Sequence, residues 1–371
     1  MLIPLYVFPR VSLSVRQSRD SPPEPEAELS EGSTTYWDEQ RGMDLDESVG
    51  RVRGRVDDLP GPLERLSERE TERKRYIARA TTAVLKYLTS KFSRNGFEWL
   101  LPVAFSKSTD PLWPDPGASI EKRIEVEIYD ETVRATLSMI IHKMVACSLA
   151  YPKLFLLSPN IRIEKGERAS SGVHTYEFTQ FDFEVRDASS EDIRSLVEGV
   201  LIGLLGTLKR NLKEELTFLG RFGDLQVPKA PFRIHDKEEL VDEYGEMWET
   251  RLLAESRDPV WVANIPREFY DYEDFENGKW DNYDLFLPDF GEVLSGARRE
   301  WSYTKMIRKM ERDGVDPNRY ELLLRLAREG RLKPSAGAGI GLERLIGWIV
   351  GARHIGEVQP FPKIPGTVYD L

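Results

Sequence analysis

The stretch "SAGAGIGLERLIGWIVG" spans residues 335–351 and puts glycine at 337, 339 and 341. Glycine at every second position strips one face of a strand of side chains, so a flat ligand or another backbone can pack close to it. Glu343 and Arg344 follow at the start of an otherwise apolar helix. A cation there opposes the helix dipole, so an anion should offset it. A triphosphate would do so, and so would a local carboxylate. The spacing is G-x-G-x-G, with no strand–helix–strand unit around it and no Walker lysine behind it.

A second stretch, "NIRIEKGERASSGVHTYEFTQFDFEV", reads as a hairpin. Arg162 and Glu164 share a strand face. Residues 165–173 suit a mobile loop. The return strand alternates, with Phe178, Gln180, Asp182 and Glu184 on one side and Thr179, Phe181, Phe183 and Val185 on the core side. An arginine, a glutamate and a ring on paired strands could hold a nucleotide, gripping phosphate, accepting from the adenine amino group and stacking on the base. The alternative is a solvated face with ion pairs. In "NYDLFLPDFGEVLSGARREWSY", Asp284 and Glu292 fall on consecutive strands. Two carboxylates beside a triphosphate suit Mg²⁺, and singly each reads as a surface acid. Arg299 lies within reach of the same place.

Around these stretches the chain divides in two. Residues 1–67 are acidic and broken by Pro and Gly, and are expected to be a largely disordered tail. Residues 68–371 read as one catalytic domain. Its amphipathic helix near 72–95 stops at Gly96, "FEWLLPV" reads as a strand, one helix runs through "SMIIHKMVACSLAY", and a long helix covers 190–217. Strands come in runs with short turns, so the expected fold class is α+β around an antiparallel sheet flanked by helices.

Composition narrows the functions. The net charge of −11 disfavours a broad grip on nucleic acid. No apolar run reaches the roughly 20 residues of a membrane span. The one cysteine, Cys147, cannot staple the fold, which suits a reducing cytoplasm, and its apolar neighbours make it buried filler. The four histidines make no zinc pattern.

Together, Arg162-x-Glu164 with Phe178 resembles the second motif of class II aminoacyl-tRNA synthetases, and "GAGIGLER" resembles the third. The 72–95 helix with "FEWLLP" resembles the first, which implies a homodimer. "EFTQFDFEV" and "GEVLSGARRE" are similar to the aspartyl and asparaginyl branch. "TDPLWPDPG", "LSPNIRIE", "NIPREFYD", "KPSAGAGIGLERL" and "EVQPFPKIPG" are similar to the archaeal asparagine synthetase-related proteins.

The resemblance implies ATP and Mg²⁺. It puts Arg162 on the α-phosphate, Glu164 and Phe178 on adenine, His174 on the outer phosphates and Arg344 on the γ-phosphate beside Gly341. Asp284 and Glu292 would carry Mg²⁺. Asp182 would take the α-ammonium in a substrate site with Ser138, Gln180 and Ser295. Lys143 and Arg299 would face substrate carboxylate, two cations that favour aspartate over asparagine. Two departures stand out. "LSMIIHKM" keeps Ser138 and Lys143 but lacks the family's glutamines there, so aspartate could bind reversed, with its β-carboxylate toward ATP. Val173 stands where the motif-two loop usually has arginine, so that phosphate contact is either missing or supplied by Lys165 or Arg168.

The implied reaction makes asparagine from aspartate, ATP and ammonia through a β-aspartyl adenylate, releasing pyrophosphate and AMP. The nitrogen would come from free ammonia or a separate glutaminase, since Cys147 is no nucleophile. The acidic tail does not read as an anticodon-binding barrel, so tRNA is not expected as a partner. A minimal aspartyl/asparaginyl-tRNA ligase is the alternative, and an amino-acid or ATP sensor is a third reading. A sensor would tend to lose Arg162, Arg344, Asp284 and Glu292, which this chain keeps.

Overall fold

The structure, a computed structural model, describes residues 65–112 and 120–370. The expected tail over residues 1–64 lies outside those residues, as does 113–119.

The first helix, Glu68–Arg94, starts from a reciprocal cap: Ser67 Oγ accepts from the Glu70 backbone N–H, and the Glu70 carboxylate accepts from that of Ser67. Such a cap contributes about 1 kcal/mol. The helix buries Ile77, Ala80, Val84, Leu88 and Phe92, at the helical spacing its sequence shows, and ends at Asn95.

The main sheet has eight strands: β1 Glu98–Trp99, β2 Lys153–Ile161, β3 Glu177–Arg186, β4 Arg233–Asp236, β5 Val260–Ala263, β6 Asn282–Leu287, β7 Gly291–Arg298 and β8 Ser335–Gly341. Their spatial order is β1-β2-β3-β8-β7-β6-β5-β4. Every pair is antiparallel except the two at the edges, β1 with β2 and β5 with β4. The α+β class expected from the sequence is therefore the one observed.

The sheet has an apolar back and a polar front. Phe155, Phe181, Phe183, Ala336, Ala338 and Ile340 face the helices Glu68–Arg94, Ser190–Asn211 and Leu342–Val350 in the largest core cluster. Phe92 anchors it, with ring centroids 4.7 Å from Phe181 and 5.0 Å from Phe183. On the front lies helix Ile140–Leu149, and a second apolar cluster gathers Phe269, Tyr270, Met306, Met310 and Tyr320 around it.

Several local expectations change. The 190–217 helix breaks at Leu212, whose φ of −122° and ψ of 40° close one helix before Lys213–Phe218 opens the next. "FEWLLPV" pairs only over Glu98–Trp99, next to exposed Leu101 and Pro102. The 165–173 loop is not open: Gly166–Ser171 forms a 3₁₀ turn closed by Gly172 at φ 72°. The helices Lys237–Tyr244 and Trp248–Glu255 escape the sequence reading. Among the described residues, no helix is long and apolar enough to cross a membrane.

Candidate active site

One row of residues crosses four adjacent strands of the sheet front. Asp182 on β3 pairs with Gly339 on β8, Gly339 with Ser295 on β7, and Ser295 with Asp284 on β6. Glu184 and Gly337 pair one step along. The alternating glycines thus make room for neighbouring acids. A Cβ at Gly337 would stand 2.2 Å from Glu184 Oε2 and 2.2 Å from the Phe183 carbonyl oxygen. A Cβ at Gly339 would stand 2.8 Å from Asp182 Oδ1. The solvated-face alternative for β3 is excluded, because Asp182 and Glu184 are as buried as Phe181 and Phe183.

Two cavities open on this floor. The first, about 260 Å³, is lined by Arg162, Glu164, Arg168, His174, Phe178, Gln180, Glu292, Gly341 and Arg344. Arg162 donates from Nε to the Leu137 carbonyl, 3.1 Å away, and its guanidinium lies 5.2 Å from the Phe178 ring centroid. It has no carboxylate partner among the described residues. Burial pushes the Glu164 carboxyl up, against nearby Arg168 and Arg162. Its Oε2 is buried without a hydrogen-bond donor, though Arg168 stands 3.4 Å away. An adenine amino group matches that need. His174 packs between Ser171 Oγ at 2.5 Å and Arg168 Nη1 at 3.0 Å. Arg168, rather than Lys165, is therefore the loop cation in the cavity.

Arg344 donates to the Val173 and Glu292 carbonyls and lies 3.6 Å from the Glu292 carboxylate. A local acid thus provides part of the offset that its place at a helix start demands. Next to it, Glu343 accepts two 3.0 Å bonds from the Thr179 backbone N–H and ties the helix start to β3.

The second cavity, about 220 Å³, shares Arg162, Gln180, Glu292 and Gly339 with the first and adds Ser138, Lys143, Asp182, Ser295 and Arg299. All fourteen residues singled out in the sequence therefore gather here, thirteen in a cavity wall and Asp284 beside Ser295 on the floor. Their partners were not foreseen. Lys143 lies 2.8 Å from Asp182 and 3.8 Å from Glu184. Arg299 lies 2.6 Å from Asp271 and 3.2 Å from Glu184, with a third bond to the Gly337 carbonyl. The sequence reading counted both cations as free for a substrate carboxylate; the structure pairs both, so unpaired charge here does not select aspartate. Ser138 Oγ accepts from the Ile140 N–H, and the Gln180 side-chain oxygen from Asn160.

Sequence reasoning missed Arg267, Asp110, Glu268 and Asp271. They lie in loops without periodicity; the density of charge in "NIPREFYD" could have signalled Arg267, Glu268 and Asp271, whereas Asp110 stands apart in "TDPLWPDPG". Arg267 donates to the Asp284 carboxylate and the Ser295 hydroxyl.

Asp284 and Glu292 are the two carboxylates that would hold a cation here. Asp284 Oδ1 is buried without a donor. Burial pushes its carboxyl up to about 7, with Arg267 opposing and Glu292 adding. That arrangement needs a further cation and fits a Mg²⁺ that completes its shell with phosphate and water. No group of three or more His, Cys, Asp or Glu is placed to bind a metal among the described residues. Cys147 is buried in helix Ile140–Leu149, and burial pushes its thiol up to about 12, so it stays an unreactive thiol.

The fold and site can be set beside known proteins. The asparagine–tRNA ligase of Thermococcus gammatolerans is 28% identical over 295 residues, covering 73% of this chain and 67% of that protein. That of Thermoplasma acidophilum is 26% identical over 230 residues, covering 57% and 53%. Asparaginyl-tRNA synthetase from Pyrococcus horikoshii, solved with asparaginyl-adenylate, superposes with a TM-score of 0.71 at 22% identity, over 80% of this chain and 70% of that one. The profile of the family described as tRNA synthetases class II (D, K and N) matches residues 65–365. With the three motifs gathered on one antiparallel sheet, the chain belongs to the class II tRNA synthetase family of the D, K and N group.

Proposed function

We propose that this chain activates aspartate with ATP as an acyl adenylate and transfers the acyl group to ammonia, giving asparagine, AMP and pyrophosphate. The observation that carries the activation step is Arg162, a guanidinium in the wall shared by both cavities that forms no ion pair with any described carboxylate. A carboxylate entering from one side and an α-phosphate from the other would meet there.

The residues divide the work. Glu164 and Phe178 would hold adenine, and Arg168, His174 and Arg344 would hold the outer phosphates. Mg²⁺, when held by Asp284 and Glu292, would neutralise phosphate charge. Arg162 would steady the charge that builds on the α-phosphate as the carboxylate attacks, so catalysis is chiefly positioning and electrostatic stabilisation. Lys143 and Arg299, fixed by Asp182, Glu184 and Asp271, would shape the amino-acid side. On this reading the chain would belong to the archaeal asparagine synthetase-related group of its family and act in the cytoplasm. A homodimer belongs to the proposal; Trp99 and Leu101, exposed beside edge strand β1, offer an apolar contact.

A second reading is transfer to tRNA, which the likeness to the Thermococcus and Thermoplasma asparagine–tRNA ligases favours. One assay separates the two. Purified protein with ATP, Mg²⁺, aspartate and ammonium should yield asparagine and AMP together without tRNA. AMP formed only with tRNA, with labelled tRNA recovered, would establish the second reading and defeat the first.

A further inference from the structure

Two acids of the amino-acid cavity have no cation within ion-pair distance among the described residues, although Arg267 lies near Glu268 and Arg123 near Asp110. Glu268 is 9% exposed and lines the cavity; its own backbone N–H and the nearby Arg267 ease its charge, but no described cation stands within ion-pair distance of its carboxylate. Asp110, 5% exposed, accepts from the Leu112 N–H at 2.9 Å and the Tyr270 hydroxyl at 3.0 Å, both neutral donors. The other acids of this wall have a cation close by: Asp271 has Arg299, Glu292 has Arg344 at 3.6 Å, and one oxygen of Asp182 has Lys143. The second oxygen of Asp182 is buried in the same wall without a donor. Burial, then Asp110 and Asp271, push the Glu268 carboxyl well up. A buried acid left unpaired beside other acids is costly, and a small cation relieves it.

We propose that Asp110 and Glu268 form a subsite that binds an ammonium ion and delivers its nitrogen to the activated acyl group. The inference rests on the ammonia-transfer reading above and deepens it. An ammonium ion offers four N–H donors, which the acceptors Asp110, Glu268 and the second oxygen of Asp182 can share. The subsite lines the same cavity as Arg162, where the acyl carbon would be formed. The step balances without an added reagent. Ammonium gives one proton to the Glu268 carboxylate, and the freed lone pair attacks the acyl carbon. The carbon–oxygen bond to AMP breaks, AMP leaves with that electron pair, and the new amide nitrogen loses a second proton to water.

The test is a split between two Michaelis constants. Glu268→Gln keeps the shape and removes the charge. The ammonium KM for asparagine formation should rise roughly tenfold or more, while the aspartate KM in ATP–pyrophosphate exchange should move less than about threefold. Asp110→Asn should show the same split and serves if the first variant does not fold, as judged by thermal melting. An unchanged ammonium KM in both variants would overturn the subsite and leave the ammonia reading standing. An equal rise in the aspartate KM would also overturn it, assigning the pair to the α-ammonium of the amino acid. Wild-type protein that exchanges pyrophosphate but makes no asparagine from ammonium would sink the underlying reading itself.

Discussion

The two cavities that share Arg162 hold their charges in opposite ways. On the nucleotide side the cations are loosely engaged: Arg168 lies 3.4 Å from Glu164, Arg344 lies 3.6 Å from Glu292, and Arg162 forms no ion pair with any described carboxylate. On the amino-acid side they are locked, with Lys143 2.8 Å from Asp182 and Arg299 2.6 Å from Asp271, all at most 4% exposed. A ligand rich in its own charge can take over loose cations. A small ligand instead needs walls that do not rearrange, and paired buried charges provide them. The difference separates residues that act on phosphate from residues that hold the site in shape.

The comparison can be broken most directly at Arg162. Arg162→Ala should lower ATP–pyrophosphate exchange by roughly a thousandfold or more, because its guanidinium lines both cavities and forms no ion pair with a described carboxylate. Its thermal midpoint should stay near wild type; appreciable exchange would remove the nucleotide assignment. Glu184→Ala attacks the locked side and leaves Arg299 short of a partner, so urea unfolding should show a loss of roughly 3–5 kcal/mol. A stability near wild type would mean the pairs are not structural.

Gly339→Ala sharpens the boundary. Its Cβ meets only the movable ends of Asp182 and Gln180, whereas one at Gly337 would strike the Phe183 carbonyl. The Gly339 variant should fold, with an aspartate KM raised by about tenfold in the exchange assay, while Gly337→Ala should melt early. An unchanged aspartate KM would place substrate away from the glycine floor.

The pH test concerns Asp284. Burial pushes its carboxyl up to about 7 against the opposing Arg267, and only the ionised form would hold Mg²⁺, so protons compete below that pH. Half-saturating Mg²⁺ in the exchange assay should rise roughly tenfold per pH unit below 7 and level off above it. A flat dependence would remove Asp284 as a ligand. The smallest effect is expected for Arg168→Ala, a loose contact, where the ATP KM should rise about fivefold with kcat nearly unchanged.

What could be seen in the sequence follows from the reach of each signal. The helix from Glu68, strand β3 and the glycine strand announce themselves through spacing, which depends only on near neighbours. Arg162, Glu164 and Phe178 sit on such spacing and were found. The partners of Lys143 and Arg299 were not, because Asp182 lies 39 residues from Lys143 and Glu184 lies 115 from Arg299. Asp110 and Glu268 sit in aperiodic loops, where a charged residue reads as surface until the fold buries it. Leu212 shows the local limit, since no Pro or Gly there marks the break between two helices that the sequence runs together.

Glu184 serves Lys143 and Arg299 at once, takes a 2.8 Å bond from Ser335 and fills the space that Gly337 leaves open. Four positions distant in the chain therefore answer to a single carboxyl. Mutations that retune this pocket one residue at a time must pass through unstable intermediates, so descendants with a new amino-acid preference should carry these changes as a linked set or keep the set untouched and alter the loop acids instead.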